Sequence, residues 1–264
     1  SLELTARIRA KYGLDKPIPV QYLMYMRNIL RGDLGDSFYF HRPVADLLLE
    51  RFPNTAKLAM MILVVSLLLG VPLGVFAALR KNSVFDRLIV ISSVAVISVP
   101  SFLIAVLLIY VFAFKLDWFP TGGLGSWKHW ILPILSLAIP YSVGYAIFLR
   151  TNMLNAVSQD YARTARAKGL SYVLTTMKHI LPNAIIPVVT MASIDLAYLL
   201  TGVVLVESVF GIPGIGIAIT RAASQKDIPV VMGSVFIGAI FIGAMNLVAD
   251  IVVARLDPRI RLGR

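Results

Sequence analysis

Four ionisable residues stand in or beside long apolar runs: Lys57, Asp195, Glu207 and Asp250. A charge at membrane depth is costly, so such groups mark substrate pathways, proton relays or contacts between helices. Asp195 is the most deeply placed, among Ser193, Ile194, Leu196 and Ala197. Two readings stand for it: a carboxylate in a substrate pathway that recognises an amino group, or a helix-to-helix hydrogen bond made by the protonated acid. Glu207 falls at the outer end of the same run, beside Gly211-Ile212-Pro213-Gly214, where a gate or a contact with an external protein is expected. Asp250 is expected to pair locally with Arg255, and Lys57 to snorkel outward. Pro72, Pro100 and Pro140 interrupt apolar runs. Each removes a helix hydrogen bond and kinks its segment, as suits a pathway that opens and closes or ordinary packing of spanning helices. Catalytic constellations are lacking. His41, His129 and His179 lie in separate connectors, cysteine is absent, and no Gly-rich phosphate loop ends in Lys and Ser or Thr. No catalytic residue, metal or cofactor is therefore expected in this chain.

The elements that must position these groups follow from composition. The chain has 264 residues, 58% hydrophobic and 15% charged, with a mean hydropathy of +0.81. Its apolar residues form runs of the roughly 20 residues that cross a bilayer core of about 30 Å. The net charge of +11 does not imply nucleic acid, because the Lys and Arg residues flank the runs and set orientation. Five spans are predicted, at about 54–79, 88–114, 130–149, 183–206 and 230–254, within a transmembrane domain of 53–254. The connectors Arg80 to Arg87 and Arg150 to Lys178 and the tail 255–264, with Arg255, Arg259, Arg261 and Arg264, are basic and hence cytoplasmic. Lys115 to His129 and Ser208 to Pro229 are the outer connectors. This order puts residue 1 outside and the C-terminus in the cytoplasm, and predicts a sixth span before Ser1. Residues 1–52 read as an extracytoplasmic segment. Within it Val20, Leu23, Met24 and Leu30 give a helical rhythm, ended by Gly32 and Gly35, for an amphipathic helix lying against the spans.

The cytoplasmic loop from Asp160 to Pro182 predicts two short helices. Asp160 is a candidate N-cap, Gly169 suits a left-handed stop, and Ser171 can cap the second helix. Val173, Leu174, Met177, Ile180 and Leu181 form an apolar stripe expected to face the bundle. Ala162 and Ala165 lie on one face and lack bulk, so another protein's surface could approach there, within a basic rim of Arg163, Arg166 and Lys168. Charge and periodicity alone also fit an ordinary basic connector.

Spacing within the loop carries more. Gly169 and Leu181-Pro182 keep the interval of the coupling motif of ABC importer permeases, and Ala165 matches its last alanine. Arg163, Thr164 and His179 depart from the generic form. The run Tyr161-Ala162-Arg163-Thr164-Ala165-Arg166-Ala167-Lys168-Gly169-Leu170 resembles the variant of the oligopeptide, dipeptide and nickel permease family. Gly32-Asp33-Leu34-Gly35-Asp36-Ser37, Arg42-Pro43-Val44, Gly74 to Leu79, Glu207 to Gly216 and Asp257-Pro258-Arg259-Ile260-Arg261 are similar to that family's segments as well. The resemblance implies an all-α polytopic membrane protein with the type I ABC importer fold, in the cytoplasmic membrane of a prokaryote. It implies a homologous second permease, two ATPase subunits that bind ATP and Mg, and an extracytoplasmic substrate-binding protein. Residues 161–170 would then couple to the ATPase, while Asp195, Glu207 and Pro100 are candidates for the pathway or gate. The implied cargo is an oligopeptide or dipeptide, with nickel or a metal chelate as the alternative. An ion-gradient transporter is less consistent, since no inverted repeat or relay of acids is seen.

Overall fold

The computed structural model describes residues 15–256. The first part of the predicted outer segment and the tail motif Asp257 to Arg261, with Arg264, lie outside the described residues. Eleven helices follow in order: α1 (Ile18–Leu30), α2 (Val44–Leu79), α3 (Val84–Ser98), α4 (Ser101–Lys115), α5 (Lys128–Val157), α6 (Asp160–Ala167), α7 (Tyr172–Ala184), α8 (Ile186–Leu200), α9 (Val204–Phe210), α10 (Ile215–Ser224) and α11 (Ile228–Leu256). Among the described residues α2, α5 and α11 are each long and apolar enough to cross a membrane, and up to six spans result if each bent pair counts as one.

The bends correct the predicted spans. The second is not one helix: α3 and α4 meet at Pro100 with a 97° bend, and α4 ends in a π-helical stretch, Ile109–Lys115. A proline at this junction cannot donate to the turn before it, so the helix restarts, with Pro100 O accepting from Leu103 N at 2.9 Å. The fourth predicted span stops at Leu200 rather than at Val206, and α7 leads into it through a 41° bend. The segment Ser208 to Pro229, predicted as an outer connector, is largely helical. There α9 and α10 form a pair bent by 93°.

The seam between α2 and α5 organises the bundle. Ser66, Gly70, Gly74 and Ala78 recur every four residues on α2 and are all buried. Small residues at this spacing let two helix backbones approach closely. A Cβ on Gly70 would stand 2.5 Å from the Ser142 carbonyl oxygen, and one on Gly74 2.6 Å from that of Ala146. Around the seam lie two apolar clusters, one built on Leu58, Ile62, Leu132 and Phe210, the other on Tyr145, Leu149, Met153 and Ile180. A third joins α1 and α2 to α10 and α11 through Ile29, Val44, Leu47 and Val230. Of the predicted apolar face of α1, Val20, Leu23 and Leu30 are exposed and Met24 is half-buried; the residues that pack are Ile29 and Tyr25, outside that face.

Two buried carboxylates tie distant segments together. Asp86, in the first turn of α3 after the Ser83 cap, takes a bidentate contact from Arg150 on α5, with Nη2 to Oδ2 at 2.7 Å and Nε to Oδ1 shorter still. Asp227, just before α11, accepts from Ser37 Oγ at 2.5 Å, Phe38 N at 3.2 Å and Tyr39 N at 3.1 Å, clasping the segment between α1 and α2. The predicted Asp250–Arg255 pair does not form, and both side chains are exposed. Lys57 extends over the Trp130 ring, 4.3 Å from its centroid.

Candidate functional site

Two helix interruptions converge on one cavity of about 310 Å³. Ser101, the first residue after the Pro100 break, lines it from one side, and Gly202, Val203 and Val204, at the break between α8 and α9, line it from another. Tyr141 of α5 and Tyr198 of α8 supply the aromatic part of the wall, and Leu137 of α5 adds to its apolar part. Gly202 sits at φ +122°, and a Cβ there would meet the Gly216 backbone at 3.0 Å, so the break closes tightly over the start of α10. Broken helices expose backbone polar groups that are tolerated where they line a cavity.

Asp195 lies one turn from Tyr198 along α8, and Tyr145 one turn from Tyr141 along α5, both steps leading toward the α6 end of the bundle. Tyr145 Oη donates to Asp195 Oδ2 at 2.7 Å. The Tyr145 side chain is fully buried, whereas Asp195 is half-buried. The Tyr141 and Tyr145 rings are 6.3 Å apart. Among the described residues no Lys or Arg pairs with Asp195. Pro100 and Asp195 of the three predicted pathway residues are thus brought to the cavity's neighbourhood.

Glu207 is elsewhere and has a different environment. Its side chain is wholly buried, accepting from Thr55 Oγ1 at 2.7 Å and from Ile217 N at 3.1 Å. Thr55 Oγ1 in turn accepts from Ile215 N at 2.9 Å, and Asn54 Nδ2 donates to Pro213 O at 3.1 Å. The carboxylate pins the α9–α10 hairpin to α2, and with no exposed surface it cannot touch an external protein as expected from the sequence. A buried acid is retained where every oxygen finds a donor.

On the loop, α6 begins at Asp160 and its N-cap is Gln159, so Asp160 is a first-turn acid and not the cap expected of it. Gly169 holds φ +83°, the left-handed stop. Ser171 caps α7 by accepting from Leu174 N at 3.3 Å. The alanine face is turned the other way from the expectation. Ala162 and Ala165 are buried, Ala162 against the cluster of Met153, Ala156 and Ile180, so their lack of bulk serves close packing within this chain. Arg166 also folds back, donating to the carbonyls of Ala162 and Val157. What α6 presents outward is Arg163, Thr164, Ala167 and Lys168, followed by Gly169, with Tyr161 and Leu170 partly covered.

The apolar stripe of α7 is likewise split. Ile180 is buried, but Val173, Leu174 and Met177 are exposed, with Tyr172 beside them, while Thr175 and Thr176 face inward. A π-helical stretch, Thr176–Ile180, which contains His179, turns the register so that the α7 stripe does not stay on one face. The Asp227 clasp and the Asp86–Arg150 pair were not anticipated. Their partners are far apart in sequence, and neither acid stands in a recognisable motif.

Comparison with known proteins adds three findings. A family model described as "Binding-protein-dependent transport system inner membrane component" matches residues 70–262, and one described as "Binding-prot-dependent transport system membrane comp, N-term" matches residues 1–59. The glutathione transport system permease protein GsiC of Escherichia coli (strain K12) is 39% identical over 254 residues, covering 96% of this chain and 83% of that protein. Its counterpart in Salmonella typhimurium is 38% identical over 259 residues, covering 98% of this chain and 85% of that protein. Among solved structures, an inward-facing MetNI methionine ABC transporter superposes with a TM-score of 0.68 at 18% identity, over 80% of this chain and 96% of that one. An amino acid ABC transporter crystallised with histidines gives 0.56 at 20% identity, over 81% and 94%. These two likenesses concern the fold.

Proposed function

This chain belongs to the family of inner membrane components of binding-protein-dependent transport systems, the permease subunits of ABC importers with the type I fold, and on that premise we propose that it imports short peptides. The substrate class is supported by the relatives' names, since glutathione is itself a short peptide. Nickel or another chelated metal is the less favoured cargo for the same reason. The membrane is the prokaryotic cytoplasmic membrane, with the α1 side outside and α6 in the cytoplasm. An external binding protein delivers substrate, and a second, homologous permease completes the bundle. ATP and Mg²⁺ are held by two ATPase subunits. The chemistry of hydrolysis is theirs.

The observation that carries the coupling assignment is the outward face of the loop. Arg163 on α6 and Lys168 at its C-cap are exposed, and so are Val173, Leu174 and Met177 on α7, so the loop offers both basic and apolar side chains to a partner. Such a surface fits a soluble partner with an acidic-rimmed apolar groove. ATP biases the bundle only through contacts that differ between its two states, and α6 is where those contacts are made. Residues 161–170 supply the docking helix and its stop, with Ala162 and Ala165 as the seat that fixes it to the bundle.

The test uses the complete importer. Arg163→Glu combined with Lys168→Glu changes only exposed side chains, so the permease should melt as the parent does, while co-purification of the ATPase subunits and peptide uptake should be lost. Unchanged uptake with both charges reversed would sink the docking assignment.

A further inference from the structure

The cavity between the two helix breaks has an acid one turn beyond its wall that the reading above leaves without a task. Asp195 Oδ2 takes one hydrogen bond, from Tyr145, and nothing cationic in the described residues balances its charge. A carboxylate held inside a bundle without a counter-ion attracts one. Tyr141 and Tyr198 line the cavity, each one turn of helix from a member of the Tyr145–Asp195 pair, and aromatic faces attract organic cations. A bare metal ion is a poor occupant, because calcium or magnesium calls for six or more oxygens and a single carboxylate is present. Among the described residues no group of His, Asp and Glu gathers to hold one. A primary ammonium needs only three acceptors, and the Asp195 carboxylate and the Tyr141 hydroxyl are of the required kind. The volume, about 310 Å³, is at the lower end of small-molecule sites, on the scale of a few amino-acid side chains.

We propose that Asp195, approached between Tyr141 and Tyr198, is the transient resting place for the cationic amino group of the substrate as it moves through the bundle. This rests on the reading of the chain as a peptide permease and assigns the part of the substrate that the site takes. The Tyr145 hydroxyl orients the carboxylate so that its other oxygen is left for the ligand. The alternative, a protonated acid that only ties α8 to α5, predicts no attraction for cations.

Because the chain contains no cysteine, Ser101→Cys places a single near-isosteric reporter in the cavity wall. In the reconstituted importer, with partner subunits lacking reactive thiols, the modification rate of this cysteine is compared for a cationic and an anionic methanethiosulfonate. The proposal expects the cationic reagent to be favoured by about tenfold once reagent size is corrected, and Asp195→Asn to lower that ratio by about fivefold or more, as a single charge seen through a partly aqueous cavity would. Tyr145→Phe, which keeps the charge, should leave the ratio near the parent's. A dipeptide amide with a free amino group should slow the reaction in the parent, and its N-acetylated form should not. A ratio near one in the parent, no change in Asp195→Asn, or equal protection by both peptides would overturn the proposal. The first two are read without any peptide. The peptide-importer reading fails separately, if the same vesicles show no ATP-dependent uptake of a short peptide.

Discussion

Gly70→Ala should loosen the whole molecule, although it adds one methyl group to a good helix former's position. The added Cβ would stand 2.5 Å from the Ser142 carbonyl oxygen and 3.0 Å from Tyr145 Cβ, where ordinary contact begins at 3.4 Å. Both obstacles belong to the α5 backbone or its first side-chain atom, which no rotamer change can move. The helices must therefore part by about 1 Å, and a gap of that size forfeits a quarter to a half of each dispersion contact across the seam. For on the order of 40 atom pairs at about 0.15 kcal/mol each, that is a loss of roughly 2 kcal/mol. Strain on the Tyr145–Asp195 hydrogen bond, typically worth about 0.6 kcal/mol between membrane helices, adds to it. The helix preference for Ala over Gly offsets about 1 kcal/mol, leaving a net cost of about 1.5 kcal/mol. Gly144→Ala supplies the internal control. It lies on α5 with nothing within 4 Å of the new Cβ, so only the helix preference acts and the protein should gain up to about 1 kcal/mol. Unfolding in mixed detergent micelles, followed by tryptophan fluorescence, measures both. If the two variants differ by less than about 0.5 kcal/mol, the spread of ordinary surface substitutions, the close-packed seam is not what holds α2 to α5.

Three further outcomes are expected. Arg150→Ala should cost about 1–3 kcal/mol by leaving the Asp86 carboxylate without its charged donor, and Asp86→Ala less, because the Arg150 side chain keeps 18% of its surface in contact with its surroundings, whereas Asp86→Leu with Arg150→Leu should recover much of the loss in the same unfolding assay. Glu207→Ala should leave the backbone N–H of Ile217 and the hydroxyl of Thr55 without an acceptor, costing about 1–3 kcal/mol for each orphaned group and raising amide exchange across 211–224. If exchange rises evenly over the chain instead, the hairpin is not pinned by this carboxylate. Asp227→Ala should free residues 36–43 to proteolysis at the outer surface while uptake with saturating binding protein persists. Protease resistance equal to the parent's would count against the clasp.

Long apolar runs made the helices readable, because a helix of about 20 residues is the simplest way to satisfy the backbone in hydrocarbon. Pro100 was readable as an interruption but not as a 97° turn, since the angle depends on what α3 and α4 pack against. The α9–α10 hairpin was missed for a compositional reason: Gly211, Pro213, Gly214 and Gly216 read as a loop, and here Gly214 and Gly216 allow close approach to Glu207. For α6 the residues were identifiable and their direction was not. Small alanines permit close packing against a partner or against the chain's own core, and sequence spacing does not distinguish the two. Asp86 and Arg150 are 64 positions apart, beyond any periodic signal. Asp195 was recognisable from its cost in hydrocarbon, while its hydroxyl donor emerged only when α5 was laid beside α8.

One rigid body connects the cavity to the loop. From Tyr141 in the cavity wall to Val157, whose carbonyl receives Arg166 of α6, α5 continues without a break. Those 16 steps along the helix make an arm of about 24 Å. Pro140, next to Tyr141, leaves α5 one backbone donor short at the cavity end of this arm. A displacement of about 2 Å at the Val157 end swings such an arm by roughly 5°. That rotation re-aims Tyr141 and Tyr145 relative to α8 without the cavity residues having to slide.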